Sequence, residues 1–173
     1  MDPKVLILMG SDSDWMVMSE ACKALDDLGV ASEVHVSSAH RTPERTAALA
    51  RDAAGRGIRV IICGAGAAAH LAGVVAADSE LPVLGVPLAS SDLQGLDALL
   101  ATVQMPAGVP VGTLAIGKAG ARNAGLLAGR IVALGDAAVA ARVLEQRARM
   151  AREVEAKDAA LQEKLAAGGR SST

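Results

Sequence analysis

The chain reads as an α/β protein: a central parallel sheet wrapped by helices, followed by a C-terminal tail helix. Three observations predict this. Short apolar runs of strand length alternate five times with longer, helix-like runs, the pattern of a sheet whose parallel strands are joined by crossover helices. Glycines and capping residues fall between the runs. The 173 residues suffice for one good core but not for two ordinary domains.

Taken in order, KVLILM precedes the helical run WMVMSEACKALDDLG, and SEVHVSS precedes PERTAALARDAAGRG. RVIIC then leads to AAHLAGVVAAD, LPVLGV to LQGLDALLATV, and VGTLAI to ARNAGLLAGRIVALG. Thr42 is placed to cap the second helix, with Pro43 at its first position and Glu44 in its first turn; Gly29 and Gly57 stand where helices should stop. Val60 to Ala77 carries only His70 as an ionisable group and reaches the length of a membrane span. Gly64 and Gly66 divide it, so a buried strand, a turn and a helix are expected instead. From Asp136 the composition turns rich in Ala, Glu and Arg, with Val143, Met150, Val154 and Leu161 at partly heptad spacing. That predicts a tail helix packed on the body or a neighbouring subunit rather than a coiled coil, since Gln146 and Lys157 interrupt the seam. The expected division is a domain over 1–135, a helical extension over 136–167 and a disordered tail over 168–173.

Composition narrows the partners. A net charge of −2 and a pI near 5.9 lack the basic excess of nucleic-acid or membrane-surface proteins, leaving small molecules or proteins. Cys22 and Cys63 have no CxxC spacing and read as reduced packing residues, and five apolar residues, VLILM, are too few for a signal-peptide core, so a cytoplasmic protein is expected. Three histidines without paired ligand spacing predict no metal. With no Phe, no Tyr and only Trp15, the core must come from Ala, Leu, Val and Ile. The Ala/Gly face of ARNAGLLAGRIVA is then expected to be buried in an obligate oligomer.

In a parallel sheet the loops after the strands emerge at one edge, where ligands of open α/β folds bind. Three polar loops meet there: GSDSD (Gly10 to Asp14), SAHR (Ser38 to Arg41) and GAGAAAH (Gly64 to His70). Helix N-termini with Gly and Ser offer backbone N–H groups to an anion, and Arg41 adds a permanent charge with a donor fork suited to phosphate. A phosphorylated small molecule held across the three loops is predicted. Ser11, Ser13 and Asp14 also fit plain helix caps, Ser13 most of all; Asp12 reads as solvated and His35 as structural. His70 fits either a backbone-satisfied helix terminus or the site. His40 stands in a loop beside Arg41, and an imidazole titrating near pH ~6.5 can both donate and accept a proton.

Two look-alikes are set aside. GAGAAA matches a dinucleotide glycine pattern, but no acidic residue ends LPVLGV to hold a ribose. GTLAIGKA mimics a phosphate loop, but Ala119 replaces the magnesium-binding Ser/Thr. A GxSxG nucleophile elbow is absent, which disfavours acyl-enzyme hydrolysis.

The motifs MGSDSDW, SAHRTP, VIICGAGAAAHLAG and LPVLGVPLASSDLQGLDALLATVQMPAGVPVGTLAIGKAGARNAGLLA closely resemble the class I 5-(carboxyamino)imidazole ribonucleotide mutases of de novo purine biosynthesis, from about Val5 to Ala133. The resemblance implies a flavodoxin-like three-layer α/β/α sandwich assembled as a homo-octamer, and a cofactor-free transfer of a carboxylate from the exocyclic amine to ring carbon 4. It implies that Gly10, Ser11, Asp14, Ser38, Ala39 and Arg41 bind the ribonucleotide and that His40 is the general acid/base. It also implies a carbon dioxide pocket formed by Gly64, Ala65, Gly66, Ala67, His70 and Leu71. Ala67, Ala72 and Ala98 depart from the family's Gly, Pro and Ser. If the backbone at 67 needs φ > 0, a methyl there costs roughly 1 kcal/mol or more and shifts that pocket. A direct carboxylase of aminoimidazole ribonucleotide, a non-catalytic nucleotide sensor and, more distantly, a nicotinamide enzyme are the competing functions.

Overall fold

The computed structural model describes residues 2–167. Its first strand, β1 (Val5–Met9), is buried along its whole length, so its period of two must supply both faces of a sheet. Val5, Ile7 and Met9 enter one core cluster with Met18, Leu25, Ala121 and Ala128. Leu6 and Leu8 enter another with Ala50, Ile58, Leu71 and Val75. Two cores divided by one sheet make three layers.

The remaining elements are α1 (Trp15–Asp27), β2 (Ser32–Val36), α2 (Pro43–Asp52), β3 (Val60–Gly66), α3 (Leu71–Asp78), β4 (Val83–Leu88), α4 (Leu96–Val103), β5 (Gly112–Thr113), α5 (Lys118–Ala133) and α6 (Ala137–Ala166). The sheet is parallel throughout, in the order β2-β1-β3-β4-β5. This is the flavodoxin-like order, whose switch point lies between β1 and β3. Val5 pairs with Val60 and Met9 with Gly64, so β3 continues past the end of β1 to Gly66 and the loops of both strands open on one crevice.

Four local expectations change. Gly64 and Gly66 do not make a turn; they extend β3, and their missing side chains admit neighbours, since a Cβ at Gly64 would overlap Met18 and one at Gly66 would overlap Ser90. The turn comes at Ala67 to His70. VGTLAI keeps only Gly112 and Thr113 as strand. The carbonyls of Gly85 and Pro87 face β5, accepting from the Leu114 and Gly117 N–H groups, and Pro87 has no N–H to continue the ladder. Thr42 occupies the N-cap position of α2, but its hydroxyl does not bond the helix. It closes the preceding loop instead, accepting from the Ser38 N–H at 3.0 Å and donating to the Ser38 carbonyl at 3.0 Å.

The fourth correction concerns the oligomer argument. The Ala/Gly face of α5, including Gly120, Ala124, Gly125 and Ala128, is buried within the chain. A Cβ at Gly125 would stand 2.5 Å from the Ala21 carbonyl and 2.9 Å from the Ala24 Cβ, so the backbone that approaches closely belongs to α1. The apolar faces left open lie elsewhere: Leu93, Leu96, Leu100 and Val103 at α4, and Met150, Val154, Leu161 and Leu165 on α6.

α6 starts where the composition changes, with Asp136 Oδ1 accepting from the N–H groups of Ala138 and Val139 at 3.0 and 3.1 Å. Val139 and Gln146 are buried against the body, and the helix is exposed from Arg147 onward. The expected tail at 168–173 lies outside the described residues. The apolar stretch Val60 to Ala77 resolves into β3, a turn and α3, and among the described residues no helix is long and apolar enough to cross a membrane.

Candidate active site

β1 delivers the chain into Gly10 and a single 3-10 turn, Asp12–Asp14. Ser11 caps it reciprocally: its hydroxyl accepts from the Ser13 N–H at 3.3 Å, and the Asp14 carboxylate accepts from the Ser11 N–H at 3.0 Å. Burial raises the Asp14 carboxyl above its ordinary value and Asp12 adds to the effect, while the N–H groups of Ser11 and Gly10 oppose it. Ser13 donates to the Ser11 hydroxyl at 2.8 Å. The capping role expected of Ser11 and Asp14 is therefore real, but Ser13, for which it was expected most, does not cap: it lies inside the turn and its N–H is the group that is capped. The polar atoms of all three stand at the mouth of a cleft.

The second loop is tied to the first. Arg41 Nη2 donates to the Gly10 carbonyl at 2.9 Å, and the Arg41 backbone N–H donates to the Ser38 hydroxyl at 3.2 Å. Most of the five N–H donors of the guanidinium stay available to an anion. Beneath the loop, the buried hydroxyls of Ser37 and Thr46 meet at 2.8 Å and anchor it to α2.

The third loop is wound tightly. Ala67 adopts φ +49°, and the Ala69 and His70 N–H groups donate to the carbonyls of Ala67 and Ala68, both at 2.8 Å. This places His70 just ahead of α3, with its Nδ1 3.0 Å from His40 Nε2 and the rings nearly perpendicular at 86°. The histidine that sequence left between two roles thus contacts the one singled out for chemistry. His35 lies apart, in β2 beside Glu33 at 3.8 Å.

Between the loops lies an open cleft of about 360 Å³, within the range of small-ligand sites. Of the expected residues, Gly10, Ser11, Asp14, Ser38, Ala39, His40, Arg41, Ala65, Gly66 and Leu71 line it. Gly64, Ala67 and His70 do not: Gly64 lies in β3 against Met18, Ala67 shapes the turn, and His70 meets the His40 ring. Ser13, Ala68 and Ser90 line the cleft without having been assigned to it. Ser90 had a readable signal, since it follows a strand at the edge that selected the other three loops. Away from the cleft, burial pushes both cysteine thiols up, Cys63 far more than Cys22, as expected of packing residues.

Known proteins resemble this chain in sequence and fold. The family model described as AIR carboxylase matches residues 4–153, beyond the end of the quoted motifs and into α6. The N5-carboxyaminoimidazole ribonucleotide mutase of Mycobacterium tuberculosis is 55% identical over 160 residues, covering 92% of this chain and 91% of that protein. The protein of the same name from Bacillus subtilis is 55% identical over 147 residues, covering 85% and 91%. A crystal structure of Treponema denticola PurE superposes with a TM-score of 0.83 at 28% identity, covering 92% of this chain and 98% of that one. With a family model spanning most of its length and relatives of this identity, the chain belongs to the AIR carboxylase family.

Proposed function

We propose that the chain is a cofactor-independent isomerase of de novo purine biosynthesis that converts 5-(carboxyamino)imidazole ribonucleotide to 5-amino-4-carboxyimidazole ribonucleotide. The observation that carries this is His40, at the wall of a cleft whose other groups suit a ribose phosphate, with His70 against its ring from behind that wall. Arg41 with Ser38 takes the phosphate, and Ser11 and Asp14, with the backbone of Gly10 and Ala39, hold the ribose phosphate portion. Ala65, Gly66 and Leu71 wall a small apolar space for carbon dioxide, which the turn through Ala67 and the strand residue Gly64 support.

The proton bookkeeping follows from the imidazole contact. Protonated His40 donates Nε2–H to His70 Nδ1, which leaves its Nδ1–H for the substrate. Decarboxylation breaks the nitrogen–carbon bond of the carbamate; its electron pair stays on nitrogen, which His40 protonates. The electron-rich ring carbon attacks the trapped carbon dioxide and forms the new carbon–carbon bond. The tetrahedral ring carbon then loses its proton to His40 Nδ1, which restores the starting state. Because His70 continues to accept from Nε2, His40 keeps the tautomer that needs this base at Nδ1. Holding carbon dioxide beside the ring replaces a bimolecular encounter with a positioned one.

The reading extends to the assembly. The exposed apolar faces at α4 and α6 support a homo-octamer in which the catalytic domain, 1–135, is joined by the helical extension 136–167. Thiols kept as packing residues suit the cytoplasm. The partner is a small ribonucleotide rather than a nucleic acid or a membrane.

The test mixes purified protein with fresh 5-(carboxyamino)imidazole ribonucleotide, without ATP, metal or bicarbonate, and follows the carboxylated product by absorbance. Conversion is expected, and His40→Asn should lower kcat by about 10²–10⁴-fold with ligand affinity retained. The family's own description favours one alternative, direct carboxylation. Turnover of aminoimidazole ribonucleotide with bicarbonate but not of the carbamate would replace the mutase assignment with that one.

A further inference from the structure

Two hydroxyls lining the cleft are not used by the mechanism: that of Ser13, which donates to the Ser11 hydroxyl at 2.8 Å, and that of Ser90. Ser90 follows β4, and its N–H donates back to the Leu88 carbonyl at 3.1 Å, a tight turn that brings the side chain over β3. There it lodges against Gly66, where any Cβ would overlap the Ser90 Oγ. Among the described residues the hydroxyl makes no hydrogen bond, although it lines the cleft. Gly66, against which it lodges, offers no side-chain donor.

Topology fixes which end of a ligand it meets. Ser38 to Arg41 follow β2 and Ser90 follows β4, three strand steps away in the order β2-β1-β3-β4. The Arg41 guanidinium reaches back one step to the Gly10 carbonyl after β1, so at about 4.8 Å per step the phosphate site and Ser90 stand roughly 10 Å apart along the cleft. A ribonucleotide with its phosphate at Arg41 therefore extends its base toward Ser90. His40 reaches the middle of that span by contacting His70 in the loop after β3.

We infer that Ser90 is a substrate-contacting residue whose hydroxyl donates a hydrogen bond to an oxygen of the migrating carboxyl group. The inference rests on the mutase assignment. The group is anionic in the carbamate, neutral as carbon dioxide and anionic again on the ring. A cation here would favour both charged forms over the neutral one and raise the barrier between them, whereas a neutral hydroxyl holds all three with a smaller bias. Ser90 forms no covalent bond and keeps its proton throughout; it restrains the carbon dioxide while the nitrogen–carbon bond breaks and the carbon–carbon bond forms.

The experiment uses the full-length protein and substrate labelled with carbon-13 in the carbamate, in unlabelled bicarbonate. It measures kcat, KM, label retained in the product and aminoimidazole ribonucleotide released above the uncatalysed background. Ser90→Ala should lower kcat roughly tenfold, as for loss of a hydrogen bond to a charged group. KM should rise as well, because the same bond is made to the bound carbamate, while label escapes and aminoimidazole ribonucleotide accumulates. Ser90→Thr, which keeps the hydroxyl, should restore retention. Gly66→Ala, which displaces the hydroxyl, should reproduce the leak. Unchanged kcat and retention in Ser90→Ala would overturn the inference, as would a rise in KM alone, which would put the hydroxyl on the ribose phosphate. A parent protein that converts no labelled substrate would instead overturn the mutase assignment itself.

Discussion

Replacing Ala67 by glycine should stabilise the protein, although the same change at an ordinary position would weaken it. Ala67 sits at φ +49°, where an L-residue's Cβ crowds the following carbonyl. That crowding costs about 1–2 kcal/mol. Glycine removes it but loses about 0.5–1 kcal/mol more backbone entropy on folding. The net gain is about 0.5–1 kcal/mol, a rise in Tm of about 1–4 °C for a chain of this size. The turn's hydrogen bonds, from the Ala69 and His70 N–H groups, do not involve the removed methyl, so His70 keeps its contact with His40 and kcat stays near that of the parent. Thermal unfolding of both proteins at equal concentration, which holds any assembly constant, gives the comparison. Because an Ala→Gly change at negative φ costs about 0.4–1 kcal/mol, a fall in Tm would refute the left-handed turn.

Two further outcomes follow from the packing and the charges. Gly125→Leu would drive a side chain into the Ala21 carbonyl; overpacking of about 3 kcal/mol, offset by about 1 kcal/mol of helix propensity, should lower Tm by about 4–8 °C, and an unchanged Tm would refute the α1–α5 contact. The Asp14 carboxyl is raised above 3.8 in the folded chain, so the stability it contributes is full below that value and is lost as pH rises through the folded pKa. The urea midpoint of Asp14→Asn relative to the parent should therefore shift in the variant's favour from about pH 4 to 7, and a shift of the opposite sign would refute the burial effect.

Much of this molecule is legible from local pattern. Strand β1 announces itself as five apolar residues, and because both faces are buried no alternation is needed. The three loops GSDSD, SAHR and GAGAAAH were locatable because a parallel sheet sends every such loop to one edge. Less legible were features decided by contacts between segments far apart. Gly64 and Gly66 look like turn residues in one dimension, and only Met18 and Ser90 reveal them as sites of close approach within a strand. The shortness of β5 depends on which way Pro87 faces in its neighbour. The α5 glycines advertised a close backbone contact correctly, but nothing local says whether that backbone belongs to α1 or to another subunit. Likewise, His70 acquires its place only when the turn at Ala67 sets it against a residue 30 positions earlier.

The distribution of conformational cost supports the placement of the site. Among the described residues, the two non-glycine residues at positive φ are Ala67 and Gln94. They lie in the loops after β3 and β4, at the strand edge that carries the cleft. Asp14, whose carboxyl burial disfavours in its charged form, stands at the same edge, in the turn after β1. None of these features helps the sheet fold; each would be relieved by glycine or by a neutral side chain. A core of Leu, Ile, Val and Ala packed on both faces of β1 and β3 can carry such local costs, which are each a small fraction of a domain's stability. Their concentration at one edge is what a chain shows when that edge is shaped for a ligand, and it singles out the crevice between β1 and β3 independently of the histidine pair.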